Sequence, residues 1–174
     1  MPRMTAFWLL GCFLGIAFPA ASARMQSLGQ DGAWESFTGF SDKGLPLCGM
    51  GATAGPDRGL HIKHYLGDAG LVLHLFREGW AWPAGRKLRV GLRFDQEALL
   101  PKDATGHGDL AEIHVVAEAE IAGLFAALHR GQRLEVLLPE ENWTISLSGA
   151  RMAAEKMSRC IRLLPPPEPA PRRS

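Results

Sequence analysis

The clearest signal in the chain is alternation. From Leu88 to Phe94 the apolar residues Leu88, Val90, Leu92 and Phe94 fall on one side of an extended backbone, and Lys87, Arg89, Gly91 and Arg93 fall on the other. Period two with one charged face predicts a half-buried β-strand. The same pattern predicts strands at Leu60 to Leu66, with His61, Lys63 and Tyr65 on the polar side, and at Leu71 to Phe76. Gly67-Asp68-Ala69-Gly70 lies between those two as a hairpin connection. Trp34 to Phe40, Glu112 to Glu118, Arg133 to Leu138 and Trp143 to Leu147 read as further short strands. Cys48 to Ala54 is Gly-rich and ambiguous, Gly55-Pro56-Asp57 is a turn, and Trp80 to Gly85 reads as a turn-containing connection. The segment from Arg24 to Ala33 is polar and Gly-containing, which predicts a flexible lead-in.

The period changes twice. Ile121, Leu124, Phe125 and Leu128 recur at helical spacing, followed by His129, Arg130 and Gly131, so a short helix is expected to end there. A second helix is expected to start at Ser148 as N-cap, with Ala153, Met157, Cys160, Ile161 and Leu164 as its apolar stripe. From Pro165 the chain is Pro-rich and predicts a disordered tail. Several short strands, one inserted helix and a C-terminal helix predict a mainly-β domain spanning 34–164, an antiparallel β-sandwich or barrel-like fold.

The start of the chain has a different character. Arg3 precedes an unbroken apolar run from Ala6 to Phe18, and Ala20-Ala21-Ser22-Ala23 supplies small residues after it. This is the layout of a secretory signal with cleavage after Ala23, and the run is too short for a spanning helix. Leu9-Leu10-Gly11-Cys12 resembles the box before a lipid-modified cysteine. Cleavage there would leave the apolar residues Phe13 to Phe18 beyond the cysteine, so a soluble periplasmic product is the stronger expectation. Export changes how the cysteines are read. Of the three, Cys12 leaves with the signal, and Cys48 and Cys160 remain to pair in an oxidising compartment.

Charge adds little. The 19 basic residues include Arg3, so the rest of the chain balances its 18 acidic residues, with no electrostatic basis for a nucleic-acid or anionic-membrane partner. No cofactor motif is present: the six histidines form no HExxH or paired Cys/His signature, no Gly-x-Ser-x-Gly elbow occurs, and the glycines make no phosphate-cradling loop. His61 and His64 should point to opposite faces of their strand, and His74 and His114 lie on different strands. The features left for function are surface ones. Trp80 and Trp82 share a face if extended, Lys87, Arg89 and Arg93 make a basic stripe, and His107 sits in a Gly-rich loop. Together they are a candidate ligand or partner surface for a non-enzymatic envelope protein. The alternative is a secreted hydrolase or inhibitor-like protein with a loop-built site around His107, Asp109 and Trp82.

The C-terminal half also carries a resemblance. Gly79-Trp80-Ala81-Trp82-Pro83-Ala84-Gly85 precedes a strand ending at Phe94-Asp95, and Leu124-Phe125-Ala126-Ala127-Leu128-His129-Arg130-Gly131 leads to Leu134-Glu135-Val136. Ile145-Ser146-Leu147-Ser148-Gly149 follows, then Ala153, Ala154 and Cys160. This order of turns and apolar spacings resembles the invasion-associated locus B family of proteobacterial periplasmic proteins. The resemblance implies a periplasmic, disulfide-containing β domain without catalytic residues. It does not extend to the N-terminal half, where Trp34 is followed by a cysteine only at Cys48.

The export reading predicts that intact-mass measurement of the periplasmic protein will place Arg24 at the amino terminus. A mass that retains residues 1–23, or a lipid adduct on Cys12, would contradict it.

Overall fold

A computed structural model describes residues 25–165. Among these residues the chain forms β1 (Gln26–Asp31), β2 (Trp34–Phe40), β3 (Pro46–Thr53), β4 (Arg58–Tyr65), β5 (Leu71–Arg77), β6 (Trp82–Phe94), β7 (Leu100–Gly108) and β8 (Leu110–Val115). Helix α1 (Glu118–Arg130), β9 (Arg133–Leu137), β10 (Asn142–Ser146) and α2 (Ala150–Leu163) complete the order. The ten strands make one open sheet in the order β1-β2-β3-β4-β5-β8-β7-β6-β9-β10, and every pairing is antiparallel. The mainly-β expectation holds, in the form of a single sheet that folds back over its own inner face like a sandwich.

The inner face is where the alternating residues meet. Leu60 and Ile62 of β4, Leu73 and Leu75 of β5, Val90, Leu92 and Phe94 of β6, Ile113 of β8 and Leu134 and Val136 of β9 are all buried in one core. Helix α2 adds Ala150, Ala153, Ala154 and Met157 to it, and packs against β1, β2, β3 and α1. The small side chains of its first two turns let its backbone approach the strands closely. Helix α1 contributes Leu124, Ala127 and Leu128, and ends where Gly131 N–H donates to the Ala127 carbonyl at 2.8 Å, after His129 and Arg130 in its last turn.

Four links tie α2 and the segment before it to the first strands. Trp34 Nε1 donates to the Ser146 carbonyl at 2.8 Å, and Ala33 N to the Ser148 carbonyl at 3.0 Å. Lys156 Nζ donates to Asp31 Oδ2 at 2.7 Å. Cys48 of β3 and Cys160 of α2 form a disulfide with Cα atoms 5.9 Å apart, as the apolar stripe of the helix requires. These links draw the end of β10 to β2, so the two halves of the sheet close over the core without edge-to-edge pairing.

Five sequence expectations need correction. The lead-in 24–33 contains strand β1, which pairs along β2 from Gln26↔Thr38 to Asp31↔Trp34. An edge strand needs no apolar alternation when it is exposed along most of its length, and Gln26, Ser27 and Gln30 supply none. Strand β7 was not anticipated, and His107 lies on it rather than in a loop. Its inward positions are Ala104 and Gly106, because the Trp82 ring and Leu88 occupy the space that a Cβ at Gly106 would need. The segment Trp80 to Gly85 is not a connection throughout, since β6 begins at Trp82 and carries a register shift before Arg86. The cap of α2 is Gly149, at φ 90°, rather than Ser148, and Ser148 serves through its carbonyl. Similarly, the strand expected to reach Glu118 stops at Val115, and Glu118 and Glu120 form the acidic first turn of α1. The predicted signal at 1–23 lies outside the described residues, as does the tail beyond Pro165. No helix among the described residues is long and apolar enough to cross a membrane.

The disulfide closes a sequence separation of 112 residues, for which the chain-entropy model gives about 4–5 kcal/mol. Cys160→Ser is therefore expected to lower the unfolding free energy by roughly 2–5 kcal/mol. Denaturant melts of the oxidised wild type and the variant measure this, and coincident melts would show that the helix docks without the link.

Candidate functional site

The surface proposed from sequence divides between the two faces of the sheet. Trp80 and Trp82 stack with ring centroids 4.0 Å apart, and Trp80 stacks on its other side against Trp143 at 5.3 Å. Arg58 caps the far side of Trp143, with its guanidinium carbon 5.9 Å from the ring centre. Glu141 accepts from Arg58 and Arg77, each at 2.7 Å, and Asp57 holds Arg58 at 2.9 Å. A ring sandwiched between two others has no free face, so Trp80 offers no platform to a ligand. The space left among Trp80, Trp82, Leu138 and Glu141 is only about 10 Å³. This column joins the β9–β10 turn to β4 and β5, and packing accounts for it.

Arg89 and Arg93 lie on the opposite, outer face. Arg89 pairs with Asp103 across β7 at 2.7 Å, and Arg93 pairs with Glu135 across β9. Two of the three charges of the stripe are thus neutralised across neighbouring strands, while Lys87 Nζ donates to Thr105 Oγ1 at 3.2 Å. His107 and Asp109 are exposed at the β7–β8 hairpin, and His107 shares the outer face with Thr105 while Trp82 is on the inner one. His107, Asp109 and Trp82 therefore do not converge on a common concavity.

A different set of residues does converge. Over β1 to β5 the outer face is hollowed into a cavity of about 700 Å³, lined among others by Phe37, Phe40, Leu47, His61, Lys63, Tyr65 and His74. Glycine makes this possible. A Cβ at Gly49, Gly51 or Gly59 would collide with the rings of Phe37, His61 and Phe76, respectively. With only hydrogen there, the three rings lie close to the sheet in a row, Phe37 to His61 at 5.5 Å and His61 to Phe76 at 4.8 Å. The same glycines made β3 ambiguous in the sequence.

A polar chain runs beside the row. Lys63 Nζ lies 3.2 Å from His74 Nδ1, His74 Nε2 lies 3.1 Å from Glu112 Oε2, and Glu112 Oε1 lies 2.6 Å from His114 Nε2. The strand register brings these groups together: His61 is opposite His74, and His74 is opposite Glu112. An ammonium can only donate, so His74 accepts at Nδ1 and carries its proton on Nε2, directed at Glu112. Burial holds His61 and His74 neutral, each with its pKa pulled from 6.5 to about 4, and the positive charge of Lys63 acts in the same direction. Glu35 on the first, and Glu112 on the second, oppose that shift, while His74 acts on His61 and His107 acts on His74 to extend it. Burial also lowers the Lys63 pKa, against the attraction of Asp42 and Glu112. Burial would raise that of Glu112, but the hydrogen bond from His114 and the proximity of His74 bring it below its ordinary value.

Comparison of the chain with protein-family models, with curated proteins and with solved structures finds no match. Nothing outside the molecule therefore assigns the cavity. Among the described residues, no group of three His, Cys, Asp or Glu side chains is arranged to hold a metal ion. The sequence placed His61, Lys63 and Tyr65 on one strand face. It did not show that His74, Glu112 and His114 continue that face, because the link is β5–β8 pairing, which skips two strands in chain order.

The two buried neutral histidines set a pH dependence. Unfolded, they take up protons near pH 6.5, whereas folded they resist until about pH 4. Their contribution to stability is complete above pH 6.5, falls as pH drops through that window, and has gone below about pH 4. Each is worth up to roughly 3 kcal/mol, less when both titrate together. Thermal melts should show Tm falling between pH 6.5 and 4.5, and His61→Phe with His74→Gln should flatten that slope. A flat wild-type profile, or an unchanged slope in the double variant, would contradict this account.

Proposed function

We propose that this chain is an exported, non-enzymatic binding protein of the bacterial envelope, and that its ligand occupies the outer-face cavity over β1 to β5. The observation that carries the reading is the cavity itself. It falls in the size range of small-molecule sites and combines apolar walls with a few convergent polar groups. The Cys48–Cys160 disulfide is compatible with an oxidising compartment. The leader-like pattern of residues 1–23 and the resemblance of Trp80 to Ala154 to the invasion-associated locus B family favour the same assignment.

The hydrolase alternative, placed at His107, Asp109 and Trp82, has no shared concavity, since the exposed His107 stands on the outer face and Trp82 on the inner one. In the cavity His61 makes no hydrogen bond to a described hydroxyl, and both ring nitrogens of His74 are engaged, Nδ1 by Lys63 and Nε2 by Glu112. Held this way, His74 orients Lys63 and has no nitrogen left to take a proton from a nucleophile.

Nile red, an uncharged apolar dye, tests the site without assuming a ligand. Saturable binding is expected, with amide shift changes confined to β2 to β5 around Phe37, Gly51, His61 and Lys63 in a heteronuclear correlation spectrum. Non-saturable binding, or changes centred on Trp80 and Trp82, would refute the assignment.

A further inference from the structure

The cavity has one cationic group whose bonding is incomplete. Lys63 is largely buried in its lining, and its single hydrogen bond to a described residue is the one to His74 at 3.2 Å. It makes no salt bridge among the described residues, although Lys102, Lys156 and six arginines do. An ammonium has three donors, so two remain for something that enters the cavity. Tyr65, the chain's one tyrosine, lines the same space, and its hydroxyl makes no hydrogen bond to a described residue. A partly buried cation with unused donors is costly on its own, and an anion at that point removes the cost.

The walls describe the rest of the ligand. Phe37 and Leu47 are buried on this face, while Met25 and Phe40, at the rim, are 46% and 51% exposed. Glu35 and Asp42 also line the cavity, and both are exposed and without salt bridges among the described residues. These carboxylates disfavour a ligand with more than one negative charge, whose excess Lys63 alone cannot neutralise.

We infer that the cavity takes an amphipathic monocarboxylate, its carboxylate on Lys63 Nζ and its apolar body against Phe37, Leu47, Phe40 and Met25. His74 holds the lysine in place from the opposite side through Nδ1, and Glu112 fixes the tautomer that allows it. The inference rests on the reading of this cavity as a ligand site, and it adds the chemical class of the ligand.

Calorimetric titration at pH 7 with octanoate, octanamide and octyl phosphate tests it, alongside Nile red. Octanoate is expected to bind about 10-fold or more tightly than octanamide, in line with a charge-assisted hydrogen bond, and more tightly than octyl phosphate. Lys63→Met should abolish the preference for acid over amide, and Lys63→Arg should keep most of it. Nile red binding and a Tm no lower than that of the wild type would show that both variants keep the site. Equal binding of acid and amide, a preference that survives Lys63→Met, tighter binding of the phosphate, or no octanoate binding at millimolar concentration would each overturn the inference. In those cases saturable Nile red binding would leave the cavity standing as a ligand site, and its loss in the wild type would remove both readings.

Discussion

The docking of helix α2 against β1, β2 and β3 is the contact on which the rest of this structure depends. A ten-stranded open sheet has two edges and, folded over, a mouth that must be closed. Here the closing element is the last helix, and it works because Ala150, Ala153 and Ala154 are small enough to sit flat on the strands. Gly149 is part of the same device. Its left-handed backbone turns the chain from β10 into the helix, and a Cβ there would strike the Asp31 carbonyl. The disulfide fixes the far end of the helix, and the Lys156–Asp31 pair fixes its middle. The covalent link therefore reinforces a contact that packing already specifies.

Filling the inner face in this way decides where a ligand can go. Among the described residues, the inner face is filled by the core side chains, the two helices and the Trp80–Trp82–Trp143 column. The outer face over β1 to β5 carries the hollow, and glycines on β3 and β4 deepen it by letting rings lie against the backbone. On the outer face over β6, β7 and β9, Arg89 and Arg93 pair with carboxylates on neighbouring strands. One sheet thus carries two surfaces of different kinds, and the difference arises from which residues stand opposite one another in register.

Register also separates what could be read from the sequence from what could not. Strands with an alternating apolar face, such as Leu88 to Phe94 and Leu71 to Phe76, were legible because burial on one side imposes period two. The pairing of Cys48 with Cys160 was legible because Cys160 falls within the helical stripe. Strand β1 was not, because an exposed edge strand carries polar residues at most positions, and β7 was not, because Ala104 and Gly106 face inward beneath Trp82 and Leu88. The tryptophans were visible as a group, but their stacking on Trp143 depends on the sheet folding over. The cavity was the least legible part. His61 and Lys63 came from one strand, His74 from the next, and Glu112 from a strand that is distant in sequence and adjacent in space.

That distribution bears on why the polar chain exists at all. Lys63, His74 and Glu112 are supplied by three neighbouring strands that already give the core Leu60, Ile62, Leu73, Leu75, Ala111 and Ile113 from their inner faces, so the core has no need of them. Placing a lysine and two neutral histidines in a partly buried position costs solvation free energy, and apolar residues would pack over Gly49 and Gly51 without that penalty. The hydrogen bonds from Lys63 to His74 and from His74 to Glu112 recover part of the cost and also restrict the rotamers of all three side chains. A chain of this kind leaves the lysine oriented and its two remaining donors aimed away from its support. Preorganisation of a charge toward a cavity with apolar walls is what a recognition site requires, and core stability is better served by its absence.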